Sequence, residues 1–357
     1  MIELVNPVTN AKVCLSDEKA RRLFNLEKGV SMLVCMPSKV VVSRAGAQTI
    51  RVYKKRSRAK RLGGTCVIRM GGLGDLIMLS STLAKLKKKD PGEPLTLATM
   101  QRYIGIMKEL NGVDNCIPID DLDRYRFDRT IDLRFAVEPV NIGPGSLPWR
   151  DYVSKDRSEN FDQLCGVNSK RRFFNIPVDR EARKKFENAL ATTKRPLIGL
   201  NPSCSSIFRA MPPEYVRPTI ERLEGLGATV VILGKTEEWN RSLARITSKN
   251  IVNFVNKTSE EELIALCSMM DVIVTPDTGV LHIAGALKRK CLGLFGNIAP
   301  HTRISYYPTV KVLYPKDELP CVPCFDVPGA CDSRKPGAPC MRLLTPQRIA
   351  QAVKELL

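Results

Sequence analysis

At 357 residues the chain is long enough for two domains of ordinary size, and 43% hydrophobic with 26% charged residues describes a globular protein, not a disordered one. No apolar run approaches the roughly 18 residues that a membrane span needs, and the opening "MIELVNPVTN" lacks the basic-then-apolar order of a signal peptide, so the expected compartment is the cytoplasm, with the inner membrane surface as the place of any peripheral contact. The formal net charge of +19 favours an anionic partner: nucleic acid, a phosphorylated glycan or an acidic membrane face.

The charge is concentrated at the start, where residues 1–64 hold 14 Lys/Arg against 4 Asp/Glu. The β-branched, partly alternating runs "MLVCMPSKVVVS" and "AQTIRVYKK" predict a small β-rich unit there. "RVYKKRSRAKR" closes it with seven basic residues in eleven, a run that reads equally as a solvated linker and as an anion-docking patch.

From residue 65 strands and helices alternate. "TCVIRM" reads as a buried strand, and "DLIMLSSTLAKLKKK" follows with Leu76, Leu79, Leu83 and Leu86 at helical spacing. Strand "LTLATM", helix "QRYIGIMKEL" and strands "NCIPI" and "TIDLRFAV" come next, before a charged, less regular stretch from about 140 to 190. A second series runs from strand "RPLIGLNPS" through helix "PEYVRPTIERLEGLG", strand "ATVVILG", helix "TEEWNRSLARITS", strand "NIVNFVN" and helix "SEEELIALCSMM". It ends with strand "DVIVTP", helix "TGVLHIAGALK", strand "KCLGLFG" and, at the end of the chain, the amphipathic helix "TPQRIAQAVKELL". Alternation of this kind implies parallel sheets flanked by helices. The expected organisation is an α/β chain: a basic appendage over 1–64, a Rossmann-like unit over 65–190 and a second over 191–357, facing each other across a cleft.

Ligands of open parallel sheets bind outside the carboxyl ends of the strands, and three strand-end loops carry unusual residues. In "IRMGGLGDLI", Gly71, Gly72 and Gly74 permit a tight turn and close ligand approach, and Asp75 stands where a helix is expected to begin. By position alone that acid reads first as an N-cap; the loop matches neither a P-loop nor G-x-G-x-x-G. In "NPSCSSIFRAMPPEYV", the hydroxyls of Ser203, Ser205 and Ser206 with the guanidinium of Arg209 suit a phosphate, though a serine-rich surface loop has the same composition. In "VTPDTGVLHIAGALK", Asp277, Thr278 and Gly279 form a strand-to-helix turn that makes an anion site or simply a cap. His282 lies one turn farther on. "DLD" at Asp121 to Asp123 has the form of a metal-binding D-x-D but reads better as an acidic loop.

These loops, in this order, resemble the heptosyltransferases, the ADP-heptose:lipopolysaccharide glycosyltransferases of glycosyltransferase family nine. "RMGGLGDLIMLSS" resembles the family's R-x-x-x-x-G-D-x-x-x-x-x-P, with Ser81 in the place of the proline. "DTGVLHIAGAL" resembles D-T-G-x-x-H-x-A-A-A-L, and "KCLGLFGNIAPHTR" the continuation V-A-L-F-G-P-T-D-P. The resemblance runs from about residue 65 to the C-terminus. It implies a GT-B fold, with the acceptor on the N-terminal unit and a nucleotide-sugar such as ADP-heptose on the C-terminal one. It further implies inverting sugar transfer, without a catalytic metal, to an anionic acceptor such as the lipopolysaccharide core or another phosphorylated glycan. On that reading Asp75 is the base that deprotonates the acceptor hydroxyl, Arg209 takes the place of the family's lysine, and Ser203, Ser205, Asp277, Thr278, Gly279 and His282 hold the donor. The uncovered appendage leaves two alternatives: transfer to nucleic acid or protein, and a sugar-nucleotide-binding relative without activity.

Twelve cysteines in a chain without a secretion signal argue against a disulfide framework. The last four, Cys321, Cys324, Cys331 and Cys340, follow the spacing C-x2-C-x6-C-x8-C, which suits a structural zinc or iron ion held by thiolates. Some members of the family carry a similar set, which strengthens that expectation over a reduced or disulfide-bonded cluster.

Overall fold

The structure is a computed structural model. It describes residues 59–357 apart from 111, 135, 138–148, 168–170, 237, 326–330 and 332–335, and of residues 1–58 it describes the backbone of five strands. Those strands, β1 (Ile2–Val5), β2 (Lys12–Leu15), β3 (Val30–Met36), β4 (Lys39–Arg44) and β5 (Ala47–Val52), form one sheet in the order β2-β1-β3-β4-β5. Every neighbouring pair is antiparallel except β1 with β3. The basic run expected to close this unit falls mostly on residues 53–58, outside the described residues.

Two parallel sheets follow. The first is built from β7 (Thr65–Ile68), β8 (Leu95–Thr99), β9 (Asn115–Pro118) and β11 (Arg129–Asp132) in the order β11-β7-β8-β9. At its side β6 (Lys60–Arg61) pairs with β10 (Tyr125–Arg126). The second sheet orders β12 (Leu197–Leu200), β13 (Thr229–Ile232), β14 (Ile251–Asn253), β15 (Val272–Pro276), β16 (Lys290–Leu294) and β17 (Val310–Leu313) as β14-β13-β12-β15-β16-β17. Its central strands are buried throughout and mostly apolar because both faces are covered by helices, which removes any need for alternation.

The helix Leu73–Lys89 buries Leu76, Leu79, Leu83 and Leu86, and ends in Lys87, Lys88 and Lys89, whose charges complement the helix dipole. The apolar core beneath it continues without a break into Val280, Leu281 and Ile283 of the helix Gly279–Ala286, which belongs to the second sheet's layer. The two parallel-sheet units therefore share one hydrophobic core instead of meeting through a wet, mobile interface. Ser81, the departure from the family's proline, accepts the N–H of Phe173 at 3.3 Å.

Several local expectations need correction. The irregular stretch contains the helices Trp149–Ser154, Arg157–Cys165 and Arg180–Ala189. The expected strand 130–137 stops at Asp132, where Arg134 folds back and donates its backbone N–H to the Asp132 carboxylate at 3.0 Å. The expected helix 236–248 is a 3₁₀ segment, Glu238–Arg245, broken at Asn240. Asn240 is buried and donates its amide to Ser203 Oγ at 2.8 Å, so a polar anchor overrides the helical pattern. Among the described residues, no helix is long and apolar enough to cross a membrane.

Candidate active site

The carboxyl ends of β7, β12 and β15 open into one cleft of about 560 Å³. Gly72, Gly74 and Asp75 line it from the first sheet; Ser203, Ser205, Arg209, Asp277, Thr278, Gly279 and His282 line it from the second. Loops more than 200 residues apart in sequence thus meet, because the helices that follow β7 and β15 pack start against start. Gly74 is needed at that junction: a Cβ there would sit 2.4 Å from His282 Cδ2. Gly71 lies behind it, where a Cβ would stand 2.8 Å from Asp75 Oδ2.

Asp75 does not cap its helix. The N-cap is Gly72, three residues before the expected start, and Asp75 is in the first turn with its carboxylate turned to side chains. Its Oδ1 accepts from Arg157 Nη1 at 2.5 Å, and its Oδ2 is 3.1 Å from Arg69 Nη2. Burial pushes the carboxyl up, but the charges of Arg157, Arg69 and Arg303 outweigh it and hold Asp75 well below the usual carboxylate range.

On the opposite wall, Asp277 is buried beside two guanidiniums and an imidazole: Arg209 Nη1 at 3.0 Å, Arg303 Nε at 3.5 Å and His282 Nε2 at 3.6 Å. Burial again raises its pKa, and the His282 hydrogen bond with the charges of Arg303 and Arg209 more than reverses this, so Asp277 is also depressed. Arg209 donates from Nη1 to the Asp277 carbonyl as well, at 3.0 Å, which locks its guanidinium across the turn. The His282 ring is set from its other edge by the Tyr307 hydroxyl, 3.3 Å from Nδ1. Tyr307 fits there because residue 285 is glycine, where the family pattern has alanine: a Cβ on Gly285 would lie 2.4 Å from the Tyr307 ring.

Thr278 is the N-cap of Gly279–Ala286, yet its hydroxyl is spent on Asn201 Nδ2 at 3.1 Å and Thr275 Oγ1 at 3.0 Å, leaving the helix start open to the cleft. Ser203 is turned to Asn240, whereas Ser205 is exposed. Asp121 pairs with Arg124 at 3.0 Å, and neither it nor Asp123 lines the cleft.

Sequence reasoning missed several cleft residues, Arg102 and four others among them. Arg157 and Tyr152 come from the stretch that showed no periodicity; Arg303, inside a motif but given no role, donates to the Tyr152 hydroxyl at 3.4 Å. Lys235 is the fourth and pairs with Glu260 at 3.1 Å. One signal was available for Arg157: Asp156 followed by Glu159 is a helix-start pattern, and Asp156 accepts the Ser158 N–H.

Among the described residues, no three His, Cys, Asp or Glu side chains converge on a metal position. Cys340 is buried and Cys321 exposed. Burial, with added repulsion from Cys324 and Cys331, pushes the Cys340 thiol up to about 12. Soft thiols suit iron or zinc chemically, but the side-chain placement does not close a site.

A model of glycosyltransferase family 9 (heptosyltransferase) matches residues 148–332, just over half of the chain. Lipooligosaccharide heptosyltransferase 2 of Haemophilus influenzae is 30% identical over 128 residues, 34% of this chain and 37% of that protein. The chain thus spans little more than a third of that relative's length. The solved structure of the Escherichia coli ADP-heptose lipopolysaccharide heptosyltransferase II superposes with a TM-score of 0.63 at 18% identity, over 82% of this chain and 98% of that one. The iron-containing dodecameric glycosyltransferase TibC of enterotoxigenic E. coli superposes with a TM-score of 0.62 at 14% identity, over 89% and 84%. At such identities the structural likenesses speak to fold, and the fold is GT-B.

Proposed function

The chain belongs to glycosyltransferase family 9, the heptosyltransferases, and from that premise we propose that it transfers a heptose-like sugar from a nucleoside-diphosphate donor of the ADP-heptose kind to a hydroxyl of an anionic, phosphorylated glycan such as a lipopolysaccharide core. One observation carries the proposal: a single cleft joins the Asp75 carboxylate of one sheet to the Arg209–Asp277–His282 cluster and the open helix start at Gly279 of the other.

Inverting transfer needs a base on the acceptor side and charge neutralisation at the leaving group. The acceptor hydroxyl loses its proton to Asp75 as its oxygen bonds to the anomeric carbon. The anomeric C–O bond to the diphosphate breaks in the same displacement, and its electron pair leaves with the nucleotide. The N–H groups at the start of Gly279–Ala286 and the guanidiniums of Arg209 and Arg303 face the place where that charge collects. Asp277 is too heavily paired to act as a second base; it orients Arg209, Arg303 and His282. Thermal-shift screening of ADP-, UDP-, GDP- and CDP-sugars tests the donor class. A ligand at about 100 times its Kd adds about 2.7 kcal/mol, enough to raise Tm by several degrees. Failure of every nucleotide-sugar to do so would overturn the reading.

The division into units at 1–64, 65–190 and 191–357 is part of the proposal. A second reading keeps the chemistry but takes nucleic acid or protein as acceptor, because the basic unit over 1–64 lies outside the family match. Salt-dependent retention on DNA that vanishes on deleting residues 1–64 would favour it. We also propose a structural iron or zinc at the C-terminal cysteines, Cys321, Cys324, Cys331 and Cys340. Metal analysis of untagged protein is expected to find about one ion per chain, the stoichiometry of one four-thiolate site. Absence of metal, with Cys321→Ser and Cys324→Ser variants as stable as the parent, would remove it.

A further inference from the structure

Asp75 does not meet the cleft as a bare carboxylate: Arg157 holds one of its oxygens and Arg69 the other. The two arginines differ in what they can do. Arg69 is fully buried, donates to the Leu133 carbonyl at 2.8 Å and lies 5.5 Å from the Phe161 ring centre, so it cannot follow a ligand. Arg157 lines the cleft. Its guanidinium is 6.0 Å from the Tyr152 ring centre, with Nη2 donating to the Val137 carbonyl at 3.2 Å.

This arrangement handicaps both partners. A carboxylate clamped by two guanidiniums is a poor proton acceptor, and a guanidinium clamped by a carboxylate is unavailable to a ligand. One exchange removes both handicaps. We propose that Arg157 trades Asp75 for a phosphate oxyanion of the bound substrate, so that Asp75 becomes a competent base only in the loaded cleft. Arg303, whose guanidinium is 5.9 Å from the centre of the same Tyr152 ring and which is already committed to Asp277, lines the same cleft as a second cation near Arg157.

The consequence for Asp75 rests on its reading as the base; the exchange is a binding event and is tested without turnover. The oxyanion can belong to the donor's diphosphate or to a phosphate on the acceptor, so ADP and glucose 6-phosphate serve as the two probes. Calorimetric titration of the parent, Asp75→Asn, Arg157→Gln and the double variant forms a cycle that separates the pair's coupling from through-space repulsion. Asp75→Asn is expected to tighten one probe on the order of tenfold, by releasing Arg157 to it. In the Arg157→Gln background that gain is expected to shrink below about twofold. A gain with ADP assigns the donor, and a gain with glucose 6-phosphate the acceptor. No gain with either probe, or an equal gain with and without Arg157, overturns the exchange. Should a variant fail to fold, crystal structures of the unmutated chain with each probe decide: Arg157 on phosphate supports the exchange, and an Arg157–Asp75 bond intact in both overturns it. A chain that binds in this way but transfers no sugar would sink the function and leave the exchange standing.

Discussion

Gly74 of the first parallel-sheet unit and His282 of the second are packed so closely that the missing side chain of one is the space occupied by the ring of the other. Neither residue has freedom to change alone. Gly74→Ala is expected to cost about 1–3 kcal/mol, the usual range for overpacking, and to remove activity by displacing His282. Gly72→Ala, two residues earlier, meets nothing within 4 Å and is expected to stay near neutral. Chemical denaturation of the two variants checks the contrast; equal losses would show that the turn's backbone, and not the packing, demands glycine.

Asp75→Asn keeps the shape of the side chain and removes the proton acceptor. Turnover is expected to fall by about 10²–10⁴, the range for a lost general base, while ADP binding survives. Unchanged turnover with a confirmed donor and acceptor would exclude Asp75 as the base.

Acid sensitivity follows from the same carboxylates. Asp75 and Asp277 are both held below their unfolded values, because nearby cations outweigh the burial that pushes them up. Such groups stabilise the fold above the unfolded pKa of about 3.9 and lose that contribution as pH falls through the folded value. Tm is expected to be level from pH 7 to about 5 and to drop steeply below about 4. Asp75→Asn, less stable at pH 7, is expected to lose less on acidification. Parallel curves for the two proteins would show that Asp75 does not carry the linkage.

Gly285 and Tyr307 form a matched pair. Gly285→Ala is expected to destabilise by about 1–3 kcal/mol through its clash with the ring, and a smaller residue at 307 should relieve most of that. A cycle of Gly285→Ala with Tyr307→Leu measures the coupling; additive losses would mean the alanine is accommodated by the backbone.

The sequence was legible where one loop carried its own meaning. Asp75, Arg209 and the Asp277–His282 turn sit at strand ends, and parallel sheets bring strand ends together, so their meeting in one cleft follows from topology. What could not be read was how each charge is spent. Arg69 stands in a motif six residues before Asp75, but only the fold shows that it shares the carboxylate with Arg157, 82 positions downstream. The helix carrying Arg157 is short and charged, so its apolar period is weak, and Asp156 was its sole clear marker. The break at Asn240 is likewise a tertiary outcome. Sequence spacing states which partners are permitted, not which are taken.

The guanidiniums of Arg69, Arg157, Arg209 and Arg303 face the carboxylates of Asp75 and Asp277, and Arg102, Lys235 and Glu260 also line the cleft, so positive groups outnumber negative ones in and just behind it. Such an imbalance draws in a polyanion quickly, and it holds the spent nucleotide just as firmly. On the proposed reaction, departure of the diphosphate is then expected to be slower than bond formation, which pre-steady-state burst kinetics would check. Added salt would then slow capture yet hasten each cycle, and the enzyme would work best in a cell that clears its nucleotide product promptly.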